Sequence, residues 1–237
     1  MAGGTAGGTA ADDQAASPVA AAAAEGVEQG LAGRLVGQRV LELGCGHALP
    51  GLVALLAGAE VHFQDYNREV VQTVTIPNVA ANWAAWQFRY PSSRSSAAGR
   101  LPAGPAAGSS EETMTAVQTG EAAGSNPMAR YFSGDWGALA DLLEQRGLAG
   151  TYDVVLSAET IYSLSSMRSL YECIVRCLRR PSGVAYIAAK SFYFGVGGGT
   201  AGFVRLVEGE GLMQAQVAQV IDDGLSNKRE ILQLIFR

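Results

Sequence analysis

The sequence predicts an open, doubly wound α/β sheet, Rossmann-like, seven-stranded and mostly parallel with one antiparallel strand. Three observations predict it. Short β-type runs alternate with helical ones, a Gly-rich turn directly follows the first run, and the last two runs are joined without a helix.

The elements follow in order. Arg39 to Leu43 is a strand ending in Gly44-Cys45-Gly46, and Leu49 to Gly58 is the apolar helix after it. Glu60 to Gln64 is the second strand, followed by Asp65-Tyr66-Asn67 and a helical stretch through Val79 to Trp86. Tyr131 to Ser133 is a short third strand and Gly137 to Arg146 a helix. Tyr152 to Ser157 is the fourth strand, and its unbroken Val154-Val155-Leu156 predicts burial on both faces at the sheet centre. Met167 to Arg180 is a helix closed by Pro181-Ser182-Gly183, Val184 to Ala189 a fifth strand, and Thr200 to Gly209 a helix. Leu212 to Ile221 and Arg229 to Phe236 form a closing antiparallel hairpin, because a loop containing Asp223-Gly224 joins them.

With 237 residues, 48% of them hydrophobic, the chain suffices for one complete α/β domain and not for two large ones. Residues 1–30 are mostly Ala, Gly and scattered acids, too poor in large apolar groups to offset the entropy of ordering, and read as a disordered arm before a domain at 31–237. From Pro91 to Pro127 the composition is low-complexity Ser, Gly, Ala and Pro, expected as a surface insertion because loop-closure cost rises only logarithmically with length.

A formal net charge of -5 gives no broad basic surface, so direct nucleic-acid binding is not expected and a protein or small-molecule substrate fits better. Cys45, Cys173 and Cys177 are too few and too odd for a disulfide framework, and with only His47 and His62 beside them they make a poor zinc set; no metal is expected. No apolar run has the length to span a membrane, and the alanine-rich start carries Asp12, Asp13 and Glu25 where a transit peptide would carry arginines. These features predict a soluble monomer of the cytoplasm or nucleus.

Val40-Leu41-Glu42-Leu43-Gly44-Cys45-Gly46 puts glycines directly after a buried strand, where the backbone can approach a ligand that side chains would block; the same residues also fit a packing turn. Ala48 replaces the third glycine of a dinucleotide pattern, which counts against a pyrophosphate ligand. Asp65 ends the next strand about 20 residues on, the place of an acid that bonds ribose hydroxyls, with a helix N-cap as its alternative. Ser133-Gly134-Asp135-Trp136 ends the third strand with a carboxylate and an indole suited to the edge and face of adenine, although an indole of this size fits a core equally well.

The fourth strand ends Ser157-Ala158-Glu159-Thr160-Ile161-Tyr162, bringing a hydroxyl, a carboxylate and a phenol to the carboxyl edge where ligands bind in open α/β sheets. This is the candidate reaction face, with helix capping the alternative for Glu159 or Thr160. The run from Lys190 to Gly199 follows the fifth strand to the same edge, either to admit a side chain or as a flexible connector.

Together LELGCGHALPG, FQDYN, PNVAAN, SGDW, YDVVLSAETIY and AKSFYFGVGGG resemble the protein-histidine N-methyltransferases of the seven-β-strand, class I S-adenosylmethionine-dependent type, from Arg39 to the C-terminus apart from the insertion. FQDYN, SGDW and SAETIY with the GVGGG loop are more specific than the general methyltransferase pattern. The resemblance implies S-adenosylmethionine as methyl donor and a protein partner, a histidine of a large-subunit ribosomal protein being methylated on its distal (tele) nitrogen. Carried across by motif, the cofactor contacts are Gly44 and Gly46, then Asp65, Tyr66 and Asn67, then Gly134, Asp135 and Trp136, with Ser157 beneath the methionine end. The family carries a Trp-Glu-containing segment before the first strand, whereas Ala24 to Gly37 has no tryptophan here; Ala48 for glycine is the second, milder departure.

A sulfonium donor needs little acid–base help, and an imidazole with a pKa of about 6.5 is largely neutral near pH 7, so positioning dominates. Glu159 and Tyr162 are the expected catalytic residues: Glu159 accepts a hydrogen bond from the non-reacting ring N–H, and Tyr162 packs on the ring with the Phe192 to Phe194 loop. The rival readings are a lysine methyltransferase acting on a translation factor, which keeps the fold, and a non-catalytic methyltransferase-like binding protein. An NAD-dependent oxidoreductase is disfavoured by Ala48 and by SGDW.

Overall fold

A computed structural model describes residues 33–89, 126, 128–222, 224 and 228–237. The expected arm at 1–30 and all of the expected insertion but Asn126 lie outside these residues, as does Asp223.

The strands are β1 (Arg39–Leu43), β2 (Glu60–Asp65), β3 (Ala129–Ser133), β4 (Val154–Ala158), β5 (Val184–Lys190), β6 (Met213–Ile221) and β7 (Arg229–Phe236). They form one sheet in the order β3-β2-β1-β4-β5-β7-β6. The first five are parallel, and β7 runs antiparallel to both β5 and β6. The expected closing hairpin is present, with β7 inserted between β5 and the edge strand β6.

The helices are α1 (Leu49–Leu56), α2 (Arg68–Val70), α3 (Ile76–Arg89), α4 (Trp136–Gln145), α5 (Leu164–Cys177) and α6 (Thr200–Glu210), and a π-helical stretch (Val71–Thr75) joins α2 to α3. Pro50 lies in the first turn of α1, where its missing N–H costs nothing, and Gly211 ends α6 in the left-handed conformation at φ 74°.

Two elements depart from expectation for one reason. Tyr152 is not part of β4 but bridges Leu178, and Leu178 takes an extended backbone (ψ 137°) to meet it, so α5 stops at Cys177 instead of running to Arg180. The helix gains its first turn at Leu164 instead, and β3 reaches back to Ala129.

Side chains alternate between two cores, as a doubly wound sheet requires. Leu41, Leu43, Phe132, Val155, Ile187 and Leu234 pack with Leu139, Leu143, Met167, Leu170 and Phe203 of α4, α5 and α6. Val40, Val61 and Phe63 pack with Leu52, Leu55 and Val79 of α1 and α3. The prediction that β4 is buried on both faces holds for one: Val155 is fully buried, but Val154 and Leu156 are half-buried at the margin of the second core, which is built over β1 and β2. The three cysteines are buried and free, and among the described residues no cluster could hold a metal ion. No helix of the described residues is long and apolar enough to cross a membrane.

The amino edge of the sheet carries a buried polar chain. The His62 ring bonds Glu60 through Nε2 (3.0 Å) and Tyr152 Oη through Nδ1 (2.7 Å). A carboxylate only accepts, so Nε2 carries the proton and Nδ1 accepts from the Tyr152 hydroxyl. Burial pushes the His62 pKa down, which keeps the ring neutral. Burial would raise Glu60, but the hydrogen bond from His62 and the charge and bond of Arg39 overcome it and lower the carboxyl.

Candidate functional site

Because β1 to β5 are parallel, their carboxyl ends meet on one edge: Leu43 lies beside both Gln64 and Ser157, and Asp65 beside Ser133. Every site residue expected from the sequence lies at this edge.

The first half of the site is the turn after β1. Gly44 and Gly46 have φ of 68° and 48°, which glycine adopts at no steric cost, and a Cβ on Gly46 would meet open space. The N–H of Gly46 donates to Asp65 Oδ2 and that of Asn67 to Asp65 Oδ1, each at 3.0 Å. Asp65 is therefore not the N-cap of α2; that position is Asn67. A carboxylate offers about four acceptor sites, so the half-buried Asp65 keeps capacity for a ligand. Tyr66 beside it is 72% exposed.

From the helical side, Thr75 Oγ1 donates to the Gly46 carbonyl (2.7 Å) and Asn78 Nδ2 to that of His47 (2.6 Å). Ala48 is held in the left-handed region at φ 62° and ψ 25°, so the backbone keeps the shape a glycine would take. Beneath the turn, burial raises the Glu42 carboxyl to about 8, only partly offset by the 2.9 Å bond it accepts from the Gly51 N–H. Burial likewise pushes the Cys45 thiol up, leaving it unreactive.

Gln64, which sequence reasoning passed over, ties three of the expected residues together. Its Oε1 accepts from the Gly44 N–H and from Trp136 Nε1–H, both at 3.1 Å, and its Nε2 donates to the Gly134 carbonyl at 2.6 Å. Trp136 is half-buried against the first core, so both of its anticipated roles have a physical basis. Asp135 caps α4, its Oδ1 accepting from Ala138 N–H at 2.9 Å. The signal for Gln64 was an amide directly after Phe63 and directly before Asp65, at the carboxyl end of β2.

The second half lies where β4 ends. Ser157 Oγ donates to the Leu43 carbonyl (2.8 Å) and pairs with Thr160 Oγ1 (2.7 Å), so its hydroxyl fastens β4 to β1. Thr160 is buried, and a Cβ on Gly44 would come within 2.6 Å of its Cγ2, which joins the two halves. The helix following β4 has Ser163 at its N-cap position, so neither Glu159 nor Thr160 caps it.

Glu159 stands at φ 57°, one of two non-glycine residues with positive φ among the described residues, its N–H bonded to the Ala188 carbonyl at 2.8 Å. Its side chain is 47% exposed, accepts from Tyr193 Oη at 2.8 Å and lies 3.7 Å from Arg229 Nε. Tyr162 is 50% exposed and meets the ring of Tyr193 edge-on at 6.4 Å; Phe192 and Phe194 are exposed beside them, ring to ring at 5.1 Å. The loop after β5 is pinned and not a free connector: Gly198 and Gly199 N–H groups donate to the Tyr162 and Ile161 carbonyls (3.1 and 3.0 Å). A Cβ on Gly198 would press into the Tyr162 carbonyl.

The fold recurs in solved methyltransferases. The magnesium protoporphyrin IX methyltransferase from Synechocystis, solved with bound SAH, aligns over 92% of this chain and 82% of its own at a TM-score of 0.51 and 13% identity. The fold is that of the class I S-adenosylmethionine-dependent methyltransferases. In sequence, the chain is 38% identical over 206 residues to the histidine protein methyltransferase 1 homologue of Rattus norvegicus. Over this segment the chain is similar to the histidine protein methyltransferases.

The similarity extends to Dictyostelium discoideum, whose histidine protein methyltransferase 1 homologue is 34% identical over 200 residues. These alignments cover 86% and 84% of this chain but only 51% and 50% of the relatives, so the chain spans about half the length of the curated relatives it matches. No protein-family model matches the chain.

Proposed function

We propose that the chain is an S-adenosylmethionine-dependent protein-histidine methyltransferase, and that its acceptor is a histidine of a large-subunit ribosomal protein, modified on the tele nitrogen. The observation that carries the chemistry is the junction of the two half-sites at Gly44 and Thr160, which sets the glycine turn and Asp65 beside an exposed carboxylate with aromatic side chains around it. The acceptor rests on kinship with the histidine protein methyltransferases, and its ribosomal identity on the resemblance of the motifs.

The residues present fit the donor. Gly46 leaves the backbone bare and Gly44 lets Thr160 pack against the turn, Asp65 retains acceptor capacity for ribose hydroxyls, Tyr66 and Asn67 border it, and Gly134, Asp135 and Trp136 close the adenine end. Ser157 acts by holding β4 against β1 below the methionine end. When bound, S-adenosylmethionine supplies an electrophilic methyl group on a sulfonium. The chain's own task is then alignment of a neutral nucleophile, for which near-attack positioning is the main contribution.

Glu159 performs that alignment by accepting the N–H of the non-reacting ring nitrogen, which fixes the tautomer whose other lone pair faces the methyl group. Tyr162, Phe192 and Phe194 offer aromatic faces to the ring, where they favour the cation as it develops. A lysine would be held by the same carboxylate as an unreactive ammonium, so the arrangement suits imidazole better than amine.

The deciding experiment incubates the 237-residue chain with tritiated S-adenosylmethionine and purified large-subunit ribosomal proteins, then identifies the labelled residue after hydrolysis. Label in methylhistidine is expected; label in methyllysine, or saturable donor binding with no transfer, overturns the reading.

A further inference from the structure

The loop after β5 brings one buried hydroxyl to the exposed carboxylate that follows β4, and neither segment encodes this meeting locally. Tyr193 is 9% exposed. Its hydroxyl accepts from the Lys190 N–H at 3.2 Å and donates to Glu159 Oε2 at 2.8 Å, so both of its functions are committed to fixed partners. The ring is held as well: the Lys190 ammonium lies 5.5 Å from its centroid, Tyr162 packs edge-on, and its own backbone is closed by bonds from Tyr193 N–H to Gly198 O (3.1 Å) and from Gly197 N–H to Tyr193 O (3.3 Å).

Glu159 needs such a partner. Its backbone is confined to the left-handed region, but an exposed glutamate side chain keeps its rotational freedom unless a partner holds it. Arg229 Nε at 3.7 Å attracts the other oxygen without the directionality of a short hydrogen bond. Burial, and then the Glu159 carboxylate itself, push the Tyr193 phenol up to about 12, so the hydroxyl stays a donor across the physiological range.

We infer that Tyr193 is the positioning residue of the acceptor site: its hydroxyl fixes the Glu159 carboxylate in one orientation so that the remaining lone pairs receive the acceptor ring N–H. This rests on the role proposed for Glu159 and adds how that role is achieved. It also explains the GVGGG loop, since a side chain on Gly198 or Gly199 would press on the backbone of Tyr162 or Ser191 and displace the ring.

A double-mutant cycle tests it. Tyr193→Phe, Glu159→Ala and the double variant are compared with the wild-type chain in the tritium assay with large-subunit ribosomal proteins, with donor affinity measured by calorimetry. Tyr193→Phe should lower kcat about tenfold with donor affinity unchanged, and in the Glu159→Ala background the same substitution should have no further effect, since a residue that works through another is silent once that other is gone. If Tyr193→Phe costs the same factor in both backgrounds, or nothing in the first, the positioning role is wrong. Full activity of Glu159→Ala would instead overturn the parent reading of Glu159, and the two failures are thereby distinguished. Should Tyr193→Phe lose its fold by thermal unfolding, Glu159→Asp provides the second variant: its carboxylate is one methylene too short to keep the bond from Tyr193, so kcat should fall about tenfold with donor affinity unchanged, and a wild-type kcat would overturn the positioning role.

Discussion

Asp65 and Gly46 are joined by a 3.0 Å hydrogen bond from the glycine backbone to the carboxylate, so the acid at the end of β2 also shapes the turn at the end of β1. Asp65→Ala removes this bond, the bond from Asn67 N–H, and the proposed acceptor for ribose together. Donor affinity by calorimetry should fall about 10- to 100-fold, the range for losing one or two charge-assisted bonds. Asp65→Asn, which keeps one accepting oxygen, should fall between that and wild type. Unchanged affinity in Asp65→Ala would refute the ribose role.

Gln64→Met preserves volume and removes three bonds, those to Gly44, Gly134 and Trp136. Buried donors left without acceptors cost about 1–3 kcal/mol each, so unfolding in urea should register a loss of at least one such increment, with weaker donor binding. Gln64→Glu should be the worse variant, since Nε2 donates to a carbonyl that a carboxylate would repel.

Two glycines of the loop after β5 should behave oppositely. Gly195 has φ 80° with nothing near its Cβ position, so Gly195→Ala costs about 1 kcal/mol of backbone strain and leaves transfer intact. Gly198→Ala forces a methyl group against the Tyr162 backbone and should lower kcat with little change in donor affinity. Equal kinetics for the two variants would show that the loop's close crossing is irrelevant to the reaction.

Glu42 gives a pH signature. Its folded pKa of about 8 lies above the ordinary 4.5, so the unfolded chain ionises first as pH rises and stability declines between those values, then levels off. Glu42→Gln removes the titration while its amide oxygen can still accept from Gly51 N–H. The variant should therefore have a flatter melting-temperature profile from pH 5 to pH 8, with a gain on the order of a few kcal/mol at the upper end. A parallel profile in wild type and variant would place the pH dependence elsewhere.

Much of the architecture was legible because it is written locally. Glycines after β1, an acid after β2 and a hairpin without a helix each occupy one short string, and the structure brings all the anticipated site residues to one edge. What escaped depends on partners far along the chain. Gln64 meets Trp136 72 residues away and Tyr193 meets Glu159 across 34, so no window around either residue contains the reason for it. The boundary of α5 failed likewise, because Cys177 is the last helical residue only through the bridge of Leu178 to Tyr152. The expected symmetry of β4 burial failed because an apolar triplet reports hydrophobicity, not which helices cover each face.

The polar chain through Arg39, Glu60, His62 and Tyr152 lies at the opposite end of the strands from every residue assigned to methyl transfer. Rigidity is thus anchored at the floor while reactivity occupies the roof. Tyr152→Phe, which strands an imidazole nitrogen, should soften the whole scaffold by about 1–3 kcal/mol yet leave donor affinity alone. An engineer could harden the floor of this protein, or retailor its roof for another acceptor, as two independent projects.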